Sequence, residues 1–193
     1  DNWTFLRFLM PAMPILALFC ASSVVALVER LPLALRGAVT FAVCALAVIW
    51  LVTKSDSLRM FEIAAGERRY VTVGEAMGRL VPADAVLLSM IHSGSVRLYG
   101  DRVSARWDLI DPKRFDATIA TIRERGRKPY FLLEDWEETR VRARFADVSA
   151  LGKLDWPPTA EYVGHAQVRL YSIDDRDRYL RGEPVLTTMI PAE

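Results

Sequence analysis

Two long apolar stretches follow one another at the start of this chain, over residues 5–28 and 31–53. Each contains about the 20 apolar residues that a helix needs to cross a bilayer, and each is longer than most buried helices of soluble domains. The charged residues are concentrated after them. The sequence therefore predicts a two-helix transmembrane hairpin over residues 1–54, a connector over 55–66 and a soluble domain over 67–175.

Composition excludes several classes of function. The 193 residues carry a net charge of only +1, and no basic run contains interleaved aromatic residues, so we expect no nucleic-acid partner. The only cysteines, Cys20 and Cys44, lie inside the apolar stretches, where a thiol behaves as a small hydrophobic group. A cysteine-based zinc site is thereby excluded.

The charges that flank the apolar stretches bear on orientation in the membrane. The short connection over residues 29–36, which overlaps the start of the second stretch, carries Arg30 and Arg36, and they favour a cytoplasmic turn with both ends of the hairpin outside. Four basic residues after the second stretch oppose this orientation: Lys54, Arg59, Arg68 and Arg69. We expect an extracytoplasmic soluble domain, mainly because of the family resemblance described below.

The first residues of the sequence bear on whether the chain is a piece of a longer protein. The chain opens on Asp1-Asn2-Trp3, without an initiator methionine and without the features of a signal peptide. We therefore expect the chain to be the C-terminal piece of a longer multi-pass protein.

The soluble part alternates between helix and strand patterns. Helical spacing of apolar residues and capping signals predict helices over 67–80, 111–126 and 134–145. Short apolar runs predict strands over 85–91, 104–110, 129–133 and 168–173. This order is typical of an α/β fold, and we expect a small Rossmann-like, three-layer domain with a mostly parallel sheet. Residues 176–193 are predicted to form an irregular tail.

Polar residues follow three of these predicted strands, and they are the ligand-binding candidates: His92, Ser93, Ser95, Asp108, Glu134, Asp135 and Trp136. Ligands of open parallel sheets bind outside the carboxyl ends of the strands. However, polar residues are also simply typical of loops at strand ends. Neither a G-x-G-x-x-G sequence nor a P-loop is present, so we predict no nucleotide and no other cofactor.

Other chemistry at these positions is disfavoured. A serine hydrolase could use Ser93 or Ser95 with His92, but no G-x-S-x-G elbow surrounds either serine. An oxygen-ligand metal site could be built from Asp108, Asp111, Glu134 and Asp135. We prefer the interpretation that Asp111, Glu134 and Asp135 cap helices, and we predict no metal. The charged run over 137–144 is interpreted as a solvated helix face.

Arg7 is a charged residue near the beginning of the first apolar stretch. A cation at this depth must extend to the interface or meet an anion, and charged residues within the membrane are functional candidates. A functional contact with an anion and interfacial anchoring beside Trp3 remain equally good interpretations.

Several segments of the chain resemble polytopic glycosyltransferases of the GT-C type. The segment 6–14, Leu-Arg-Phe-Leu-Met-Pro-Ala-Met-Pro, is similar to a motif of a late transmembrane helix in relatives of protein O-mannosyltransferases and of the aminoarabinose transferase acting on lipid A. Four segments of the soluble part, 89–95, 106–112, 130–138 and 154–158, resemble the C-terminal soluble domain of bacterial members.

The resemblance implies a bacterial inner-membrane, multi-pass enzyme that transfers a sugar from a polyprenyl-phosphate donor to an extracytoplasmic acceptor. The family's catalytic acids lie in the first extracytoplasmic loop, upstream of this chain, so no catalytic residue is assigned here. Arg7 would contact the phosphate of the lipid carrier. The implied partners are membrane lipid, the lipid-linked sugar and upstream transmembrane helices. The alternative is a membrane-anchored, non-catalytic α/β binding or interaction module.

Overall fold

The computed structural model describes residues 10–58 and 60–191 of the chain. The chain divides into two compact units, Asp1–Phe61 and Glu62–Glu193. The fold class is mixed α/β, with seven α-helices in the described residues and one six-stranded, mostly parallel sheet.

The first unit contains two apolar helices, α1 (Met13–Val28) and α2 (Leu33–Ser57), and a 3₁₀ turn at Met10–Ala12. Neither α-helix has a buried residue. Within the described part of the chain, α2 alone is long and apolar enough to cross a membrane, whereas α1 is a shorter apolar helix. The predicted first stretch, 5–28, extends into residues 5–9, and these residues, with Arg7, lie outside the described ones.

The turn between the two helices is held by Arg36, which lies in the first turn of α2. Its guanidinium donates hydrogen bonds to the carbonyl oxygens of Leu31, at 3.0 Å, and Glu29, at 2.7 Å. These bonds satisfy carbonyl groups that a helix end and a tight turn leave unpaired. Arg36, predicted to lie in the connection over 29–36, belongs to the second helix, which begins at Leu33.

The second unit alternates between helices and strands. Its α-helices are α3 (Met60–Leu80), α4 (Ser93–Gly100), α5 (Phe115–Glu124), α6 (Asp135–Phe145) and α7 (Ile173–Leu180). Its strands are β1 (Ala85–Leu88), β2 (Val103–Ala105), β3 (Lys128–Glu134), β4 (Ala160–Val163), β5 (Gln167–Ser172) and β6 (Thr188–Ile190). Short 3₁₀ segments lie at Trp107–Leu109, Pro112–Arg114 and Ala150–Lys153.

The strands form one sheet in the order β2-β1-β3-β5-β4-β6. The pairs β1–β2, β1–β3 and β4–β6 are parallel, and β5 is antiparallel to both of its neighbours. The strand predicted over 168–173 corresponds to β5, so it is the antiparallel strand of the mostly parallel sheet. A turn over 164–166 joins β4 to β5, and a turn this short can connect only antiparallel strands.

Both faces of the sheet are covered, because its side chains alternate between two cores. One core joins Val73 and Met77 of α3 to Leu87, Leu132 and Leu170 of the sheet. The other core lies across the sheet, and it includes Leu88, Phe115, Phe131, Phe145 and Tyr171. The period of two that distributes strand side chains to opposite faces produces this division. The buried apolar area of both cores stabilises the domain.

Close contact between α3 and α4 depends on three glycines. A Cβ atom on Gly74 would lie 2.7 Å from the carbonyl oxygen of Ser95, and one on Gly100 would lie 2.6 Å from that of Gly74. Gly78 lies against Gly100 in the same way. The absence of side chains lets the two backbones touch, and this contact positions the first turn of α4 beside the C-terminal half of α3.

Several predicted boundaries need correction. The stretch 55–66, predicted as a connector, is helical on both sides of residues 58–59, because α2 ends at Ser57 and α3 begins at Met60. The predicted irregular tail over 176–193 is wrong at two places, since α7 runs to Leu180 and Thr188–Ile190 form β6, which pairs with β4. The residues between them, 181–187, are irregular as predicted. Ile190 of β6 is buried in the core. The strand was not predicted, because three residues are too few to show the alternating pattern of a strand.

Candidate functional site

The sheet has a topological switch point between its neighbouring strands β1 and β3. The helix that follows β1 is α4, and its Val96 packs on one face of the sheet. The helix that follows β3 is α6, and its Val141 packs on the opposite face of the sheet. In open α/β sheets the crevice outside the carboxyl ends of two such strands is the usual place for a ligand. His92 follows β1 and Glu134 ends β3, so the predicted candidates meet at this crevice.

Glu134 is the centre of the site. Its side chain is 6% exposed. The carboxylate accepts hydrogen bonds from Arg69 Nε at 3.1 Å, His92 Nε2 at 3.2 Å and Trp136 Nε1 at 2.7 Å. It also accepts a bond from the backbone of Glu137 and so forms half of a capping box at the start of α6. The prediction that Glu134 caps this helix is confirmed.

These contacts decide the protonation of Glu134. Burial raises its pKa, but the hydrogen bonds from His92, Trp136 and Arg69 outweigh burial and lower the pKa to about 2. Glu134 is therefore an ionised carboxylate at neutral pH, and it can only accept hydrogen bonds. Because a carboxylate needs a donor, His92 must carry a proton on Nε2.

His92 and Ser95 form the second part of the site. The imidazole of His92 is fully buried and packs against Tyr70, with ring centroids 5.0 Å apart and the rings tilted by 51°. Ser95 Oγ lies 3.4 Å from His92 Nδ1, but its shorter bond, at 3.0 Å, is to the carbonyl oxygen of His92. Ser95 is itself buried. The order serine, histidine, glutamate resembles a catalytic triad in its contacts, yet the buried hydroxyl is bonded to the helix backbone and is not presented to a substrate.

Arg69 reaches the site from α3. Its guanidinium donates to Glu134, to the carbonyl oxygen of Gly66 at 2.9 Å and to the hydroxyl of Tyr70 at 2.8 Å. The side chain is 17% exposed. A cation of this chain therefore occupies the position where the switch point of other α/β sheets receives a ligand.

Two further glutamates at the start of α6 are buried. Glu137 accepts bonds from the backbone of Glu134 at 3.0 Å and from Trp107 Nε1 at 3.1 Å. Burial raises its pKa, against those two hydrogen bonds. Glu138 accepts from Arg169 Nη1 and from the hydroxyl of Tyr171, both at 2.8 Å. The interpretation of 137–144 as a solvated face is therefore wrong for both glutamates.

The remaining predicted candidates do not join the cluster. Ser93 donates to the carbonyl oxygen of Met90 at 2.9 Å, a local bond at the start of α4. Asp108 is paired with Arg106, whose hydrogen bonds lower the pKa of Asp108. Asp135 is exposed. Asp111 accepts from the backbone of Lys113 at 3.0 Å, so its predicted role as a cap is confirmed.

Sequence reasoning missed four residues of the site: Arg69, Tyr70, Glu137 and Glu138. Arg69 lies 65 residues before Glu134, and nothing in the local helical pattern distinguishes it from the exposed Arg68 beside it. The signal that could have found the glutamates is the sequence of three acids within five residues directly after a buried strand, since α6 begins at the end of β3.

The arrangement is a saturated network. Within the described residues, every buried side-chain nitrogen and oxygen atom has a hydrogen-bond partner. No group of three His, Cys, Asp or Glu side chains in that part of the chain is placed to hold a metal ion. Satisfied polar networks of this kind make a core rigid and fix its conformation. The cluster therefore locks α3, α4 and α6 around the crevice.

Comparison with known proteins adds no relative. No protein-family model matches the chain, and neither a curated protein nor a solved structure matches it.

Proposed function

We propose that this chain is the C-terminal part of a bacterial inner-membrane glycosyltransferase of the GT-C type. The enzyme transfers a sugar from a polyprenyl-phosphate donor to an acceptor outside the cytoplasm. In this proposal 5–28 and 31–53 form a transmembrane hairpin among upstream helices, and a small Rossmann-like domain lies on the extracytoplasmic side. The similarity of residues 6–14 to the helix motif of that family supports the assignment.

The observation that carries the proposal is the order of the two units. A 25-residue apolar helix with no buried residue, α2, precedes a separate compact α/β unit. The helix exposes Phe41, Leu46, Ile49 and Trp50, and each of these side chains is at least 60% exposed. Such a surface is stable only in lipid or against other apolar helices.

The α/β domain has a non-catalytic role in this proposal. Glu134, His92 and Arg69 bind one another, so none of these three side chains is free to act as a base at the crevice. Catalysis is assigned to acids upstream of this chain. The contact between Arg7 and the carrier phosphate remains part of the proposal, because a guanidinium matches a phosphate through two parallel hydrogen bonds.

The saturated network also favours the second candidate, a membrane-anchored module that binds a partner and performs no catalysis. The two candidates differ in what the complete reading frame contains. The transferase requires many further spans and an acidic extracytoplasmic loop upstream of Asp1, whereas the module requires neither.

The decisive experiment is reconstitution of the complete protein in liposomes that contain a polyprenyl-phosphate sugar. We expect transfer of the sugar to an extracytoplasmic acceptor and release of polyprenyl phosphate. Arg7→Ala should reduce transfer while expression stays normal, and Arg7→Lys should restore only part of it. Absence of transfer with every donor tested would leave the binding module as the function. Full activity of Arg7→Lys would show that Arg7 is only an interfacial anchor.

A further inference from the structure

A second polar groove lies at the same edge of the sheet, and the cluster around Glu134 does not use it. The groove has a volume of ≈ 430 Å³ and is lined by Met90, Trp107, Asp108, Arg140, Ala143 and Arg144. Met90 follows β1, Trp107 and Asp108 follow β2, and the other three residues belong to α6, which follows β3. It thus lies beyond the carboxyl ends of three neighbouring strands, where α/β sheets bind ligands.

The groove carries two cations without a carboxylate partner. Arg140 and Arg144 are exposed, lie four residues apart on α6, and form no ion pair with any acid of the described residues. Like charges at this spacing destabilise a helix. The one acid of the groove, Asp108, is paired with Arg106, and the more distant charge of Arg144 also lowers the pKa of Asp108. The positive charge of the two guanidinium groups is therefore available to a ligand.

Aromatic rings hold both guanidinium groups in place. The Arg140 guanidinium carbon lies 4.9 Å from the centre of the Trp136 ring, and that of Arg144 lies 5.6 Å from the Phe145 ring. Arg144 also donates to the carbonyl oxygen of Ile110 at 2.8 Å. Because these contacts already restrict both arginine side chains, less conformational freedom is lost when a ligand binds. The contacts also leave further N–H groups of each guanidinium unpaired.

The wall of the groove adds an apolar surface. The indole of Trp107 is 3% exposed, with its Nε1 bonded to Glu137, and Met90 lies beside the groove as a partly buried member of the core. The ligand should therefore combine an anionic group with an organic part. A phosphate can accept hydrogen bonds from two guanidinium groups at once, since it presents several oxygen atoms, whereas a carboxylate is matched by one fork.

We propose that this groove is a binding site for a phosphate monoester, in which Arg140 and Arg144 bind the phosphate and Met90 and Trp107 contact the organic group. The site does not depend on the glycosyltransferase proposal, because binding is measured without transfer. A soluble sugar phosphate and the headgroup of phosphatidic acid are both phosphate monoesters, so the experiment needs one probe for each.

The test is calorimetric titration of the full chain, reconstituted in phosphatidylcholine nanodiscs, with glucose 1-phosphate and with a short-chain phosphatidic acid. Glucose serves as the uncharged comparison. We expect saturable binding of at least one phosphate probe and none of glucose. Binding of only the sugar phosphate would identify a soluble ligand, and binding of only phosphatidic acid would identify a lipid headgroup.

Two double variants locate the site. Arg140→Gln with Arg144→Gln should weaken binding by about a hundredfold, about tenfold for each charge-assisted contact removed. The matched control is Arg125→Gln with Arg127→Gln, which removes the same charge from another groove of the domain and should leave affinity unchanged. Ala143→Glu, which places an acid between the two arginines, should abolish binding while the chain stays folded.

Three results would overturn the proposal. The first is a lack of binding by both phosphate probes. The second is equal affinity of the wild type and the Arg140 and Arg144 variant. The third is an equal loss of affinity in the two double variants, because this would mean that the probes respond only to the overall charge of the domain.

Discussion

The guanidinium of Arg69 lies 3.1 Å from the carboxylate of Glu134, although 65 residues separate them in the chain. The contact joins α3, which begins directly after the apolar helices, to the strand end at the topological switch point of the sheet. Both side chains are largely withdrawn from water. Removal of one partner from such a pair is costly, because the remaining charge loses its compensation.

We therefore expect Arg69→Ala to lower the free energy of unfolding of the α/β unit by about 2 to 3 kcal/mol, because the buried carboxylate of Glu134 loses a hydrogen bond from a cation. Chemical denaturation of the purified chain, followed by tryptophan fluorescence, measures this change. Arg68→Ala is the matched control, since Arg68 is the neighbouring exposed arginine. Equal effects of the two substitutions would contradict the role assigned to the Arg69–Glu134 pair.

Glu134 should make stability depend on pH in the acid range. Its pKa is about 2 in the folded chain, against an ordinary value of 4.5. A depressed pKa adds stability above pH 4.5, and this contribution is lost as the pH falls from 4.5 through 2. The full contribution at neutral pH is about 3 kcal/mol.

The test compares the wild type with Glu134→Gln at pH 7 and at pH 3. The difference in unfolding free energy should shrink by about 2 kcal/mol at the lower pH, because the unfolded wild type then binds a proton that the folded wild type does not bind. Glu124→Gln, at an exposed position of α5, is the matched control. A constant difference for Glu134→Gln would mean that its carboxylate is not held ionised by the network.

Gly74 should tolerate no side chain. A Cβ atom there would lie 2.7 Å from the carbonyl oxygen of Ser95 and 2.9 Å from Tyr99 Cβ, so α3 and α4 would have to separate. We expect Gly74→Ala to destabilise the domain by about 1 to 3 kcal/mol, although alanine is the better helix former. Thermal unfolding of the chain gives the comparison.

Gly94→Ala is the control for Gly74→Ala, because nothing lies within 4 Å of a Cβ atom at this exposed position of α4. It should be neutral or stabilise the domain by up to about 1 kcal/mol. If Gly74→Ala were as stable as Gly94→Ala, the close contact between the two helices would not exist in solution.

The orientation of the hairpin is tested by reporter fusions. Arg30 and Arg36 favour a cytoplasmic turn, so a reporter that is active only outside the cytoplasm should be active when it is fused after Glu193. The same reporter inserted after Pro32, in the turn, should be inactive. The reverse pattern would place the α/β unit in the cytoplasm and would contradict the extracytoplasmic location proposed for it.

The sequence by itself determined most of the local structure. Helical spacing and caps predicted α5 and α6, and the apolar runs predicted β1 and β3, because these signals act between residues that are close in the chain. It also located the candidates His92, Ser95, Glu134 and Trp136, since polar residues that follow buried strands must gather at one edge of a parallel sheet.

Only the tertiary structure decided what these residues do. Glu137 and Glu138 have the sequence pattern of a solvated helix face, yet Trp107, Arg169 and Tyr171 approach them from other elements. The partner of Glu134, Arg69, is chosen by the packing of α3 against α4 through glycine contacts. A charged side chain can be buried only where distant elements supply its hydrogen bonds, and no local pattern records which distant residues these are.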